Sequence, residues 1–355
     1  MKHQIAVLKG DGIGPEVVSS AVSVLETASR ITSLELDFIE APIGIEAYRQ
    51  KGRTFPQETI ELIEKCPGSI LGPLQTGSFP SDDKDHPMSS GKVRKRFDLF
   101  ANIRPIKSYN KDSMIDFVIV RENTEDFFPN INLYKGYGEM WIDKDTVVSL
   151  RVIRRSSCER IARTAFELAN TRSKKLVSAI HKSNVLMEGD GLFLEECRKV
   201  SNYFSVVKFE EKLVDSTAMD LVLHPERYDV ILTTNLFGDI LSDEAAGLVG
   251  GLGISPSLNA GQDHAIAQAV HGTAPDIAGK GIANPISEIL SCNLLLEWLF
   301  KKTSDQRLVT TFTLIESAVR SQLSSQDPKD KTLDMGGSAS TVEFTKRLNE
   351  RLLDS

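Results

Sequence analysis

Short apolar runs alternate with longer stretches of helical periodicity along most of this chain, and that alternation restricts the fold more than any other feature. Residues 5–8 read as a buried strand. A glycine-rich turn follows, then residues 15–31, where Val17, Val18, Ala21, Val22, Leu25 and Ala28 share one helical face. Pro15 suits the first turn of that helix. Residues 34–40 alternate like a strand, and 117–120, 147–152, 176–180 and 230–232 are further strand-like runs. Ser156-x-x-Glu159 reads as a capping box ahead of an amphipathic run through Leu168. A helix is expected from Asn235 to Val249 and a final one from about Thr341. The spacing predicts an α/β fold with a mostly parallel central sheet and flanking helices. Residues 80–91 and 324–337 are expected to be mobile loops, and neither repeats nor low-complexity tracts interrupt the pattern.

At 355 residues the chain exceeds one minimal core, so two domains are expected. Its formal charge of −7 argues against a general nucleic-acid binder. No apolar stretch approaches a membrane span. The four cysteines are scattered, with no Cys-x-x-Cys pair. A disulfide framework or thiolate zinc site is therefore not expected, and a reducing, cytoplasmic setting fits.

Candidate chemistry sits in polar residues at the ends of the strand-like runs. Gly10-Asp11-Gly12-Ile13-Gly14-Pro15-Glu16 lacks the Lys-Ser/Thr of a P-loop, and the better reading is a tight turn with glycines at positive φ. Arg94, Arg104 and Arg121 lie in or beside apolar elements and need anionic partners. Those partners are either internal carboxylates (Glu122, Glu125 or Asp98) or a bound di- or tricarboxylate held bidentately. Asp239 and Asp243 are four apart on an expected helix, hence on one face. Asp215 lies at another strand-to-helix switch. Oxygen donors without His or Cys suit Mg²⁺ or Mn²⁺ better than zinc. Lys182 and Asn184 close a strand. Lys182 is either a solvated loop lysine or a general base with its pKa lowered by a nearby cation. Residues 271–284 are either a surface Ω-loop or a backbone cradle for an adenosine phosphate, with Asp276 accepting from a ribose hydroxyl.

Taken in order, Gly-Asp-Gly-Ile-Gly-Pro-Glu, Phe-Ala-Asn-Ile-Arg-Pro, Val-Arg-Glu-Asn-Thr-Glu, His-Lys-Ser-Asn, Thr-Thr-Asn-Leu-Phe-Gly-Asp-Ile-Leu-Ser-Asp-Glu and His-Gly-Thr-Ala-Pro-Asp-Ile-Ala-Gly resemble the isocitrate and 3-isopropylmalate dehydrogenase family of β-decarboxylating dehydrogenases, from residue 5 to about 345. The resemblance implies a two-domain fold that is not a Rossmann fold. Residues 1–99 plus 253–355 would form the large domain with the cofactor loop. Residues 100–252 would form the small domain with a homodimer interface. It implies oxidation at C2 of a hydroxy acid with a malate core, usually with loss of CO₂, using NAD and Mg²⁺ or Mn²⁺. Arg94, Arg104, Arg121, Ser90 and Asn184 would bind substrate. Asp215, Asp239 and Asp243 would hold the metal, and Lys182 with Asp215 would move the hydroxyl proton. Lys182 and Asp215 would reach the partner subunit's site. Leu74, Gln75 and Thr76, together with His271, Gly272, Thr273, Ala274, Pro275, Asp276, Ile277 and Asn284, would bind NAD. Asp276 followed by Ile277 implies NAD rather than NADP, because a carboxylate repels a 2′-phosphate.

Two departures stand out. The family's tyrosine seven residues after Arg121, the acid for the enol intermediate, is Phe128 here, preceded by Phe127; Tyr134 and Tyr137 are nearby substitutes. The substrate-selecting segment has Met88, Ser90 and Gly91 where the common substrates call for other residues. Phe128 keeps a second reading open: a catalytically weak or regulatory homologue that binds ligand without efficient turnover.

Overall fold

The computed structural model describes residues 1–83, 90–109, 114–133 and 136–354. Met88, Tyr134 and residues 84–89 of the expected 80–91 loop lie outside the described residues. The strands are β1 (Lys2–Leu8), β2 (Glu35–Glu40), β3 (Gly68–Leu71), β4 (Ala101–Lys107), β5 (Asp116–Glu122), β6 (Glu139–Asp143), β7 (Thr146–Ser149), β8 (Leu176–His181), β9 (Lys208–Leu213), β10 (Val230–Thr233), β11 (Leu258–Ala260) and β12 (Ala265–Ala267). The helices are α1 (Gly14–Thr32), α2 (Gly44–Lys51), α3 (Gln57–Lys65), α4 (Ser90–Arg96), α5 (Pro129–Asn132), α6 (Arg155–Thr171), α7 (Met187–Ser201), α8 (Val214–Leu223), α9 (Asn235–Val249), α10 (Ile286–Thr303), α11 (Gln306–Leu323) and α12 (Thr341–Leu353).

Ten strands form one sheet in the order β2-β1-β3-β12-β11-β4-β5-β10-β8-β9. Parallel pairing holds β2-β1-β3-β12 together and, separately, β5-β10-β8-β9. Three antiparallel steps, β12-β11, β11-β4 and β4-β5, join the blocks, so the two blocks run in opposite directions. This is the α/β sheet with flanking helices that the alternation predicts. One apolar cluster joins both chain ends, from Ile5 and Val17 to Leu295, Ile315, Phe344 and Leu348. A second, within residues 101–232, packs α6 and α7 on the β5-β10-β8 face, and α8 and α9 cover the reverse face.

Gly10 and Gly12 adopt φ of 70° and 61°, as the turn reading expects. A Cβ on Gly12 would fall 2.1 Å from the Thr273 carbonyl oxygen, so the turn fits only glycine there. Asp11, buried at its centre, accepts from the Ile45 and Gln75 backbone N–H groups at 2.8 and 2.9 Å.

Three local expectations are corrected. The 147–152 run supplies only β7, which pairs with β6 in a separate hairpin. Val147 is 46% exposed there, so the run's apolar character does not mark a core strand. The Ser156/Glu159 capping box does not form. Helix α6 starts at Arg155 with Arg154 as N-cap and no side-chain cap. The Arg154 backbone N–H instead donates to the Glu125 carboxylate, and Glu159 pairs with Arg163. A capping box does form at Ser340/Glu343, where α12 begins. Finally, 324–337 is fastened down by two 3₁₀ turns and by Asp330, which pairs with Arg347 and Arg351 at 2.9 and 2.7 Å.

Candidate active site

Arg121 ends β5 and is 1% exposed. Its Nε donates to Asn235 Oδ1 at 2.8 Å and its Nη1 pairs with Asp239. The aliphatic stem lies on Gly238, where a Cβ would come within 2.6 Å of Arg121 Cγ. Arg104, on β4, donates to Asn102, Ser242 and Asp243 at 2.7, 2.5 and 3.1 Å, and its Nη2 stands 3.6 Å from Asp239. Asp239 and Asp243 thus share one face of α9, as their spacing predicts, and both face arginines. The alternative partners considered from sequence are engaged elsewhere: Asp98 with Arg160, Glu125 with Arg154, and Glu122 with the Thr124 and Glu125 backbone N–H groups.

Arg94 reaches the same place from α4, with its Nε shielded from solvent and without a partner. Burial, then the Arg104 charge, pushes the Arg94 guanidinium down to about 10 and Arg121 down to about 9; burial lowers Arg104 too. Crowded cations of this kind favour an arriving anion. Three guanidiniums against two carboxylates leave one excess positive charge, which favours an anion at this place.

Lys182 and Asp215 meet each other, 2.7 Å apart, and the lysine holds the exposed Asp215 carboxyl below its usual range. Both follow carboxyl ends of the β5-β10-β8-β9 block, but Lys182 follows β8, two strands from Arg121. At about 4.8 Å per strand that is about 10 Å, and Asp215, after β9, is about 14 Å away. Among the described residues of one chain, no three His, Cys, Asp or Glu side chains converge closely enough to hold a metal. Asn184 is exposed beside Lys182.

A buried network that sequence reasoning missed supports Lys182. Its backbone N–H donates to Asp190 Oδ2 at 2.5 Å; Asp190 pairs with Arg151 at 2.6 Å; Arg151 pairs with Asp126 at 2.5 Å and donates to Thr234 Oγ1 at 3.2 Å. Asp126 in turn accepts from the Leu236 N–H at 2.9 Å. The lysine's strand end is therefore tied to the first turn of α9. The one signal available was Asp126, directly after Val-Arg-Glu-Asn-Thr-Glu.

Leu74, Thr76, Ser90, Arg94, Arg104, His271 and Gly272 line one cavity of about 170 Å³. Here the loops after β3 and β12 meet the arginines. Gln75 is fixed nearby through its backbone bond to Asp11 and its side-chain bond to Ser78. Thr273 accepts from the Ile13 N–H at 3.0 Å, which pins the following loop against the Gly10–Gly14 turn. His271 has Nδ1 3.1 Å from the Gly272 oxygen and a buried Nε2 with no partner; burial lowers its pKa and favours neutral imidazole. Pro275 and Asp276 are exposed, while Ala274 and Ile277 pack partly onto the core. Asn284 has a structural job: it binds Asp334 at 2.9 Å and accepts from the Ile286 N–H at the start of α10.

Phe128 is half-buried, its ring centroid 5.4 Å from Arg121 Cζ. The position where the family resemblance expects an acid is therefore beside the arginine cluster. Tyr137 is 52% exposed.

Among the described residues no helix is long and apolar enough to cross a membrane, and all four cysteines are free and buried. The homoisocitrate dehydrogenase of Methanocaldococcus jannaschii is 40% identical over 96% of this chain and 95% of its own length. The isocitrate/homoisocitrate dehydrogenase of Thermus thermophilus is 41% identical over 99% of both. The 3-isopropylmalate dehydrogenase of Methanothermobacter thermautotrophicus is 39% identical over 99% of both. The crystal structure of isocitrate dehydrogenase from Methylococcus capsulatus superposes with a TM-score of 0.86 at 35% identity, covering 99% of each chain. The isocitrate/isopropylmalate dehydrogenase family profile matches residues 4–348, a span holding every arginine, aspartate and lysine of the site just described, and the chain belongs to that dehydrogenase family.

Proposed function

We propose that this protein is an NAD-dependent, divalent-metal-dependent dehydrogenase that oxidises, and decarboxylates, a malate-type 2-hydroxy acid. The observation that carries the reading is the convergence of Arg94, Arg104 and Arg121 on Asp239 and Asp243 beside the cavity of about 170 Å³. A divalent cation fits the donor set: the Asp239 and Asp243 carboxylates lie on one helix face and are 43% and 57% exposed. A dinucleotide fits the wall that leaves His271 Nε2 unpartnered. NAD would supply the hydride acceptor, and Mg²⁺ or Mn²⁺ the charge that acidifies the 2-hydroxyl and draws electrons as CO₂ leaves.

The chain's own residues do the rest. Arg94, Arg104 and Arg121 clamp the substrate carboxylates and orient C2. Lys182, held by Asp215, takes the hydroxyl proton. Within one chain Lys182 pairs with Asp215 while Arg121 pairs with Asp239, two separate ion pairs, which supports sites completed by a second copy as the family resemblance implies. Exposed Met219, Val222, Leu223 and Ile240 on α8 and α9 offer an apolar face for that copy. The packing of both chain ends into one cluster and of residues 101–232 into another supports the proposed lobes, 1–99 plus 253–355 and 100–252. The free cysteines support a reducing compartment, the cytoplasm.

The second reading, a homologue that binds ligand with weak turnover, rests on Phe128 beside Arg121. One experiment separates them: NADH formation from isocitrate, homoisocitrate, 3-isopropylmalate, tartrate and malate with Mn²⁺, repeated with NADP. Turnover of at least one acid, with higher kcat/KM for NAD, supports the enzyme. Saturable binding of an acid with no turnover supports the second reading.

A further inference from the structure

A second cavity, of about 220 Å³, lies between β4, β5, α6 and α10. Side chains alternate along β4. Ile103, Pro105 and Lys107 line this cavity, so Arg104 points to the opposite face. The cavity is therefore separate from the candidate active site, with one strand between them.

Its floor is apolar, built by Ile103, Pro105, Val118, Leu258 and Leu294, with Trp298 alongside. Helix α10 supplies its polar side. Asn293, Glu297 and Lys301 are spaced by four and share a face. Asn293 is 5% exposed; its Nδ2 donates to the Phe312 carbonyl at 3.1 Å, but its buried Oδ1 has no partner. Buried acceptors are normally satisfied. Among the described residues, Glu297 and Lys301 form no hydrogen bond or ion pair, whereas the other cations at the rim are committed. Lys107 pairs with Glu316, and Arg172 with Asp229 and Asp116 at 2.5 and 2.8 Å.

An uncommitted acid, an uncommitted base and an orphaned acceptor thus stand over an apolar floor. A hydrocarbon would leave Asn293 Oδ1 unsatisfied, and a dianion would meet Glu297 and Glu316. We infer that this cavity binds a small apolar amino acid as its zwitterion, the ammonium donating to Glu297 and Asn293 Oδ1, the carboxylate meeting Lys301, and the side chain resting on the floor. Burial pushes the Glu297 carboxyl up to about 7, against the pull of Lys301 on its own helix and Lys107 on β4, with Glu316 on α11 pushing the same way as burial. Glu297 becomes the ammonium's counter-ion only when ionised, so binding near pH 7 releases a proton and tightens toward pH 8.

The test is titration calorimetry of the full chain with L-valine and L-phenylalanine, and with 2-phenylethylamine and 3-phenylpropionate, which each lack one charged end. The expected result is millimolar or tighter binding of an amino acid, at least about tenfold tighter than either single-ended analogue. Lys301→Met, at an exposed position that folding tolerates, should weaken it by about tenfold, and Glu297→Gln should also abolish the proton release. No binding at millimolar concentration, equal binding of the analogues, or unchanged affinity in Lys301→Met overturns the inference. None of these readouts uses dehydrogenase activity, so they stand or fall independently of the proposed reaction.

Discussion

Replacing Phe128 by tyrosine adds one oxygen at the place where the proposed reaction lacks an acid. The ring lies 5.4 Å from Arg121 Cζ, and Arg121 itself feels the charges of Arg104 and Arg94. A phenol beside the Arg121 guanidinium should ionise below its ordinary value of about 10, because the cation favours phenolate. It would therefore be a better proton donor than a free tyrosine. Loss of a general acid slows its step by about 10²–10⁴-fold, which is about 3–5 kcal/mol of barrier. In the proposed reaction, oxidation draws on Lys182 and the aspartates, all present. The wild type should then form NADH in a fast first turnover and cycle slowly afterwards. Phe128→Tyr should abolish that burst and raise kcat by at least about tenfold, up to the limit set by the next slowest step. KM should change little, since the ring and its cation–π contact, worth about 0.5–2 kcal/mol, are retained. Rapid-mixing and steady-state NADH measurements on the same acid distinguish these. Lower turnover of Phe128→Tyr on every acid that the wild type accepts would refute the missing-acid account and make Phe128 part of a pocket shaped for another substrate.

Excess EDTA should abolish turnover, and Asp243→Asn should weaken Mn²⁺ binding strongly while costing only about 1 kcal/mol of stability, since its partner Arg104 keeps Ser242 and Asn102; full activity in EDTA would sink the metal assignment. If sites are completed by a second copy, Lys182→Ala and Arg94→Ala homodimers should both be inactive, and exchanged heterodimers should regain one working site; no recovery in verified heterodimers counts against sharing. Glu288 is fully buried, accepts one bond from the Ala269 N–H at 2.8 Å, and burial pushes its carboxyl up to about 8. A carboxyl raised in the folded state favours folding only while protonated, so stability should fall from about pH 4.5, where the unfolded chain ionises, to about pH 8. Glu288→Gln should flatten that fall, leaving thermal stability nearly unchanged at pH 5 and raising it at pH 8 by on the order of a few kcal/mol; an equal shift at both pH values would contradict this.

Helix α9 was legible because its chemistry is local: a strand end, helical periodicity and two acids one turn apart. The pairing of Asp239 with Arg121 was not, because the partners are 118 residues apart and nothing in either segment names the other. The arginines were recognisable as needing anions, but the alternatives read from sequence, Glu122, Glu125, Asp98 or a bound carboxylate, did not include the aspartates of α9 that they meet. Tertiary packing made that choice. Arg151 and Asp190 escaped notice for the same reason: each sits in an ordinary polar stretch, and only the fold brings them behind Lys182. Ser156-x-x-Glu159 failed in the other direction: α6 already begins at Arg155, so Ser156 lies inside the first turn and not at the N-cap, and the local motif had no cap position to fill. At 147–152, apolar composition alone could not distinguish an exposed hairpin from a core strand.

The arrangement of the first four parallel strands also governs the order in which the chain can fold. β3 pairs with β12, about two hundred residues later, and the apolar face of α1 is covered by α10, α11 and α12. On a ribosome, β1 to β3 and α1 emerge first yet must wait for the last helix before their core closes. Residues 101–249, with β5, β8, β9, β10 and helices α6 to α9 contiguous in sequence, can complete their own clusters long before that. The middle of the chain should therefore acquire protection from hydrogen exchange first during refolding, while the N-terminal strands stay exposed to aggregation until residues 341–353 arrive.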